Sequence, residues 1–125
     1  MSKEYTHIDL GVEGERLAAE HLVKNGYEII ECNYRCKIGE IDIVARQKNV
    51  LCFVEVKTRT SPDQGHPLES ITLLKQRKIS LSALSYLQEH EILYLQDSRF
   101  DVVSILDDGG EVQIEIIPNA FDSCV

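Results

Sequence analysis

The sequence predicts a single α/β domain, residues 1–125, with a mixed five-stranded sheet flanked by helices in the order αβββαββ. Three observations predict this fold class. Two stretches carry apolar residues at helical spacing, and three strand-like stretches lie between them. Two more strand-like stretches follow the second helix. A chain of 125 residues is long enough to build one hydrophobic core without disulfides or structural metals.

The first helix is predicted over residues 10–25, where Gly26 provides a natural C-terminal stop. Its apolar stripe consists of Leu17, Ala18, Leu22 and Val23. Gly11 and Gly14 are unusual in its first turns, because glycine costs up to about 1 kcal/mol relative to alanine in a helix. They indicate either a late helix start or a close approach of another segment next to Glu15.

The second helix is predicted from about residue 68 to residue 89, after a loop at 60–67 rich in Ser, Pro, Asp and Gly. Its inward positions are predicted to be Ile71, Leu74, Leu81, Leu84 and Leu87. The five strands are predicted at 27–35, 38–46, 50–58, 99–106 and 111–117. Residues 47–49 form the turn that joins the second and third strands into a hairpin.

Charge is distributed unevenly along the chain, whose formal net charge is −8. Residues 35–78 hold nine basic and five acidic side chains, a net of +4, whereas the rest holds four basic and sixteen acidic ones, a net of −12. The acidic total argues against indiscriminate nucleic-acid binding. The polar N-terminus lacks the apolar core of a signal peptide, and no stretch is apolar enough to cross a membrane. We therefore expect a cytoplasmic protein without a membrane partner.

Two charged residues stand in the most apolar strand of the chain, Glu55 and Lys57 after Val50-Leu51-Cys52-Phe53-Val54. Side chains two residues apart on a strand point to the same side. The hairpin places Asp42, in the preceding strand, close to Glu55. Asp42 is predicted to share its strand face with Glu40 and Val44, opposite Ile41, Ile43 and Ala45.

Two interpretations of this cluster follow from the residues alone. One is a buried ion pair, since buried charges are costly unless they are paired. The other is a reaction centre, because two carboxylates about 4 Å apart repel by about 4 kcal/mol at an effective dielectric constant of 20. A divalent cation would offset that repulsion, and the backbone carbonyl of Val56 could be a further oxygen ligand. Oxygen ligands favour Mg²⁺, and the set suits metal-assisted hydrolysis of a phosphodiester with Lys57 orienting or deprotonating the water.

Four motifs resemble the YraN family (UPF0102), small bacterial proteins grouped with Holliday-junction resolvases in the PD-(D/E)XK nuclease superfamily. The motifs are Gly14-Glu15, Gly39-Glu40-Ile41-Asp42, Phe53-Val54-Glu55-Val56-Lys57-Thr58-Arg59 and Arg99-Phe100-Asp101-Val102-Val103. The resemblance extends over residues 10–105. It implies a restriction-endonuclease-like fold.

The resemblance also implies roles for single residues. Asp42 and Glu55 would be metal ligands, Lys57 the catalytic lysine, and Glu15 a third acidic ligand carried on the first helix. Ile41 stands where the superfamily's name has proline, a departure shared with resolvase-like members. For Glu15, an exposed acid favoured by the helix dipole is the alternative.

Basic residues beyond this cluster are candidates for contacts with a nucleic acid. They are Arg59, Lys75 and Lys78, with Arg77 between the two lysines. Exposed ion pairs and a solvated helix face are the alternatives. His66 is interpreted as a plain loop residue. Asp101 is expected to pair with Arg99 or with a helix charge, and has no catalytic part.

The function expected from these features is metal-dependent (Mg²⁺ or Mn²⁺) hydrolysis of DNA, with branched or junction DNA as the substrate. Cutting two strands of a junction would require a two-fold symmetric homodimer. The alternative is a non-catalytic domain that binds nucleic acid or protein and retains the fold and the charged cluster. The acidic net charge favours that alternative.

Overall fold

The computed structural model describes the backbone of residues 7–125 and the side chains of residues 13–125. Two helices and five strands follow one another in the predicted order. They are α1 (His7–Lys24), β1 (Glu28–Arg35), β2 (Glu40–Gln47), β3 (Val50–Arg59), α2 (Leu73–Glu89), β4 (Ser98–Leu106) and β5 (Gln113–Phe121). None of the helices in this part of the chain is long and apolar enough to cross a membrane.

The five strands form one sheet in the order β1-β2-β3-β4-β5. The β3–β4 pair is parallel, with α2 in the connection between these strands, and the other three pairs are antiparallel. This is a mixed sheet, as predicted, and it is consistent with a restriction-endonuclease-like fold. Within it, β3 is a central strand that pairs on both edges, which explains its continuous apolar start.

Each face of the sheet is covered by one helix, and a separate core cluster lies under each. On one face Ala18 and Leu22 of α1 pack with a strand set of Ile43, Ala45, Cys52, Val54, Val103 and Ile105. On the other face α2 packs through Ile79, Ala83, Tyr86 and Leu87 against Val44, Leu51, Phe53, Phe100 and Val102. The spacing of the four α2 residues is that of one helix face.

The predicted phase of both helices needs correction. Helix α2 begins at Leu73, five residues later than predicted, because a 3₁₀ turn at Pro67–Ser70 precedes it and Thr72 is its N-cap, accepting a hydrogen bond from Lys75 N–H. Leu74, predicted to face inward, is 64% exposed as a result. On α1, Val23 was predicted in the apolar stripe but is 56% exposed next to the helix end.

Strand β5 extends four residues further than predicted, to Phe121. It passes through Pro118, which a strand at the edge of a sheet tolerates because its N–H side needs no ladder partner. A register irregularity between Phe100 and Val102 marks this end of the β4–β5 pair. There Asn119 N–H donates a hydrogen bond to the buried Asp101 carboxylate at 2.9 Å.

Candidate metal centre

The site forms where β2 and β3 separate. Their ladder ends at the pair of Ile43 and Val54, and the same register continued by one residue sets Asp42 opposite Glu55. Val56 N–H donates to Asp42 Oδ2 at 2.8 Å. The Asp42 carboxylate therefore accepts a hydrogen bond from the edge of β3 that faces β2. The Val56 carbonyl is directed toward the same edge, since both main-chain polar groups of a strand residue face one neighbour.

The side chains of β2 change sides of the sheet across Asp42. Ile43 and Ala45 pack in the cluster under α1, whereas Ile41 packs in the cluster on the α2 side. The predicted face with Ile41, Ile43 and Ala45 together is therefore wrong. Asp42 lies at this change of side, next to Glu15 of α1.

Helix α1 contributes Glu15 to the site. Carboxylate oxygens of Glu15, Glu40 and Asp42 all lie within 4.8 Å of one another. The helix approaches β3 closely because Gly14 has no side chain: a Cβ atom there would lie 2.9 Å from Thr58 Cγ2. A close approach at Gly14, one of the two predicted explanations, is confirmed; the side-chain position of Gly11 lies outside the described residues.

Glu40 was missed by the sequence analysis as a member of this cluster. It forms an exposed ion pair with Arg35, whose Nε lies 3.2 Å from Glu40 Oε2. The signal that could have found it was its place in the motif Gly39-Glu40-Ile41-Asp42, two residues before Asp42 on one strand. Its exposure makes it an outer member of the group.

Asp42 and Glu55 influence each other's protonation. Burial raises the pKa of Asp42, while the hydrogen bond from Val56 N–H opposes that shift. Burial, followed by the charge of Asp42, raises the pKa of Glu55 to about 8. The two carboxyls therefore hold a shared proton near neutral pH without a cation, because two negative charges at this depth repel.

Lys57 lies beside the carboxyls, close to Lys75 in the first turn of α2. Burial and the neighbouring Lys75 lower the pKa of the Lys57 ammonium, although Glu55 and Asp42 act in the opposite direction. No carboxylate among the described residues lies within salt-bridge distance of Lys57. A simple buried Glu55–Lys57 ion pair does not describe this arrangement.

The other candidates occupy different environments. Arg59 NH1 donates to the Gly65 carbonyl in the loop after β3. Lys78 is exposed on α2, and no contact of its side chain with the carboxyl group cluster is found among the described residues. Asp101 is fully buried and pairs with Arg99, as predicted, at 2.9 Å.

Comparison with known proteins identifies the family. The model of the family described as "Uncharacterised protein family UPF0102" matches residues 14–105. A UPF0102 protein of Geobacter metallireducens is 50% identical over 113 residues, 90% of this chain and 92% of the relative. A UPF0102 protein of Alkalilimnicola ehrlichii is 47% identical over 98 residues, which are 78% of each chain. A UPF0102 protein of Lachnoclostridium phytofermentans is 46% identical over 113 residues, 90% of this chain and 92% of the relative. The matched region contains Glu15, Asp42, Glu55 and Lys57. The chain therefore belongs to the UPF0102 family, which is the YraN family that its motifs resemble.

Proposed function

We propose that this protein is a metal-dependent deoxyribonuclease that hydrolyses phosphodiester bonds in branched DNA. The observation that carries the proposal is an acidic cluster at the point where β2 and β3 separate. Carboxylate oxygens of Glu15, Glu40 and Asp42 lie within 4.8 Å of one another, and the Glu55 carboxyl group interacts with Asp42. Half-buried acids brought together from three elements form a costly arrangement for a structural role alone.

The donor set fits a hard divalent cation, Mg²⁺ or Mn²⁺. Asp42, Glu55 and Glu15 would hold it, together with the Val56 carbonyl, and all of these are oxygen donors. The raised pKa values of Asp42 and Glu55 support this fit, because burial and mutual repulsion leave a negative site short of positive charge. When bound, such a cation polarises a phosphoryl oxygen and acidifies a water.

Lys57 has the environment of a group that positions or deprotonates water. Burial and Lys75 lower its pKa, so that a neutral amine is more accessible than for an exposed lysine. Its position on the same strand as Glu55, two residues further on, keeps it on the same side of the sheet. In its protonated form it would stabilise the charge of the scissile phosphate.

Arg59, Lys75 and Lys78 are proposed to contact the DNA backbone. Support comes from the charge distribution, with a net of +4 over residues 35–78 around the site and −12 over the rest of the chain. The acidic remainder would repel DNA, so that the strand is oriented toward the site. A homodimer would present two such sites, one for each of the two DNA strands that are cut.

Hydrolysis of branched DNA with Mg²⁺ tests the proposal. We expect the unmodified protein to cut and both Asp42→Ala and Lys57→Ala to lose at least about 100-fold in rate, the usual scale for a lost ligand or acid–base group. Lys24→Gln, an exposed charge change at the end of α1, is the control and should leave the rate unchanged. Equal, metal-independent cleavage in all four proteins would rule out catalysis by this site.

A second candidate function is DNA binding without cleavage. The net charge of −8 favours it, because an enzyme that must hold DNA usually presents more positive charge. Salt-dependent binding of branched DNA, with no cleavage in Mg²⁺ or Mn²⁺, would select this candidate. Absence of any nucleic-acid binding would point instead to a protein-interaction role.

A further inference from the structure

A cavity lies next to Lys57, on the side formed by the loop after β3. It has a volume of about 220 Å³ and is lined by Lys57, Thr58, Arg59, Gln64, His66 and Ser70. No carboxylate is among these lining residues. Lys57 belongs to both the cavity and the carboxyl cluster, so that the two sites adjoin.

The basic side chains of this cavity form no ion pair with a carboxylate of the described residues, although Glu55 and Asp42 lie near Lys57. Lys57 and Arg59 are two residues apart on β3, and neither forms an ion pair with any described residue. The Arg59 guanidinium is anchored through NH1 to the Gly65 carbonyl, while its buried Nε has no hydrogen-bond partner among the described residues. A buried donor without a partner is uncommon, because it loses hydration without compensation.

The two loop side chains use their acceptor atoms on the loop backbone. His66 Nδ1 accepts from Leu68 N–H at 3.2 Å, so the neutral ring carries its proton on Nε2. Gln64 Oε1 accepts from Thr60 N–H at 3.1 Å and from Ser61 N–H at 3.4 Å, which leaves its NH₂ group as a donor. The residues that line the cavity therefore offer an ammonium, a guanidinium, an imidazole N–H and an amide NH₂, together with the hydroxyl groups of Thr58 and Ser70.

We propose that this cavity binds one phosphate group of a nucleic-acid backbone, adjacent to the phosphate that is cut. An ammonium, a guanidinium and two neutral N–H donors suit a phosphodiester, because a phosphate offers only acceptor oxygens and a negative charge. The 3₁₀ turns of the loop, with the capping interaction of His66, hold the donors in place. Phosphate binding by the cavity does not depend on the proposed nuclease function, whereas its place next to the phosphate that is cut rests on that function.

Titration of the full chain with inorganic phosphate, without divalent cations and against sodium chloride of equal ionic strength, tests the cavity. We expect phosphate to shift the NMR signals of the His66 ring and of the Arg59 backbone amide. His66→Asn is the sharpest variant: an asparagine oxygen can still accept from Leu68 N–H, but the Nε2–H donor is lost. We expect His66→Asn and Arg59→Gln each to weaken phosphate binding about fivefold. Lys24→Gln serves as the matched loss of a distant charge and should have no effect.

A short single-stranded oligonucleotide distinguishes a backbone phosphate from free phosphate. Arg59→Gln should lower the slope of log affinity against log salt by about 0.7, the value for one lost phosphate contact on a single strand. No phosphate-dependent shift at His66, or unchanged oligonucleotide binding in both variants, would overturn the inference. Asp42→Ala separates it from the nuclease proposal, since we expect that variant to lose cleavage and keep the phosphate shifts.

Discussion

Burial and the charge of Asp42 raise the pKa of Glu55 to about 8, which makes the stability of the cation-free protein depend on pH. The ordinary value is 4.5, so the folded state holds an extra proton between about pH 4.5 and pH 8. Glu55 therefore stabilises the folded protein fully at a pH below about 4.5. This stabilisation is lost as the pH rises through about 8, the pKa of Glu55 in the folded protein. We expect urea unfolding with a chelator to show stability falling toward pH 8, by up to about 1.4 kcal/mol per pH unit.

Glu55→Gln is the matched test, because an amide of the same size cannot ionise. The fall of stability with rising pH should become much shallower in Glu55→Gln. It should persist in the control Glu115→Gln, which changes an exposed residue of β5. An unchanged profile in Glu55→Gln would show that Glu55 is ionised throughout this pH range. That result would contradict the shared proton of Asp42 and Glu55.

Asp101 is a structural residue whose interactions are complete. Its fully buried carboxylate accepts hydrogen bonds from Arg99 Nε at 2.9 Å, from Tyr27 OH at 2.8 Å and from Asn119 N–H at 2.9 Å. We expect Asp101→Ala to lower the free energy of unfolding by about 3–5 kcal/mol, because Arg99 keeps a partly buried charge without a partner. Denaturant unfolding measures the loss.

Arg35→Ala is the control for this prediction. It breaks the exposed pair with Glu40 and should cost no more than about 1 kcal/mol. Similar losses of unfolding free energy in Asp101→Ala and Arg35→Ala would mean that burial does not determine how much these ion pairs contribute to stability. The hydrogen bonds of Arg99 and Asp101 give the motif Arg99-Phe100-Asp101 a structural role apart from the proposed chemistry.

At the scale of elements, the packing of α1 on β3 depends on Gly14. A Cβ atom there would come within 2.9 Å of Thr58 Cγ2 and 3.8 Å of Ile105 Cδ1, so that only the threonine methyl blocks it. Alanine is favoured over glycine inside a helix by about 1 kcal/mol. We therefore expect Gly14→Ala to be destabilising or neutral alone, but stabilising by up to about 1 kcal/mol when Thr58→Ser removes the methyl.

A double-mutant cycle of Gly14→Ala and Thr58→Ser in denaturant unfolding measures this coupling. Additive effects would show that the helix shifts freely and that the close approach is not tightly fixed. The affinity for Mn²⁺ provides a second measurement, since movement of α1 also moves Glu15. We expect the affinity to fall in Gly14→Ala and to recover in the double variant.

The elements of the sequence differ in how well they could be predicted. The hairpin of β2 and β3 was predictable because its apolar runs and its turn are local, and they alone bring Asp42 opposite Glu55. The start of α2 was not, because the leucines around Leu74 follow a helical spacing that the 3₁₀ turn and the cap at Thr72 override. Helical periodicity does not show whether a given apolar residue lies before the cap.

At the scale of the whole molecule, contacts between distant segments complete the site. Glu15 reaches Asp42 across 27 positions of sequence only because α1 covers one face of the sheet. Lys75 reaches Lys57 because the connection from β3 to the parallel strand β4 carries α2 over the other face. The cavity lined by Lys57, Arg59 and His66 depends on a loop conformation that composition alone does not predict. A resemblance of motifs could indicate Glu15, but no local pattern indicated His66.

Coupling of cation binding to folding is the expected consequence for the whole chain. A cation that binds only the folded state, at a concentration of 100 times its dissociation constant, raises the free energy of unfolding by about 2.7 kcal/mol. Each added kcal/mol raises the melting temperature by roughly 3–6 °C for a chain of this length. We expect Mn²⁺ to raise the melting temperature and a chelator to reverse the effect. The rise should be larger at pH 8 than at pH 6, because the cation must displace the proton shared by Asp42 and Glu55.

The acidic surface requires a strict control, since a chain of net charge −8 attracts divalent cations without a site. Asp42→Asn and Glu55→Gln remove proposed ligands and should abolish the Mn²⁺-dependent rise. Glu115→Gln removes the same charge at an exposed position of β5 and should keep the rise. An equal rise in all four proteins would assign the effect to diffuse attraction. Loss confined to the two site variants would instead locate the cation where β2 and β3 separate, because Asp42 lies opposite Glu55 there and α1 brings Glu15 next to Asp42.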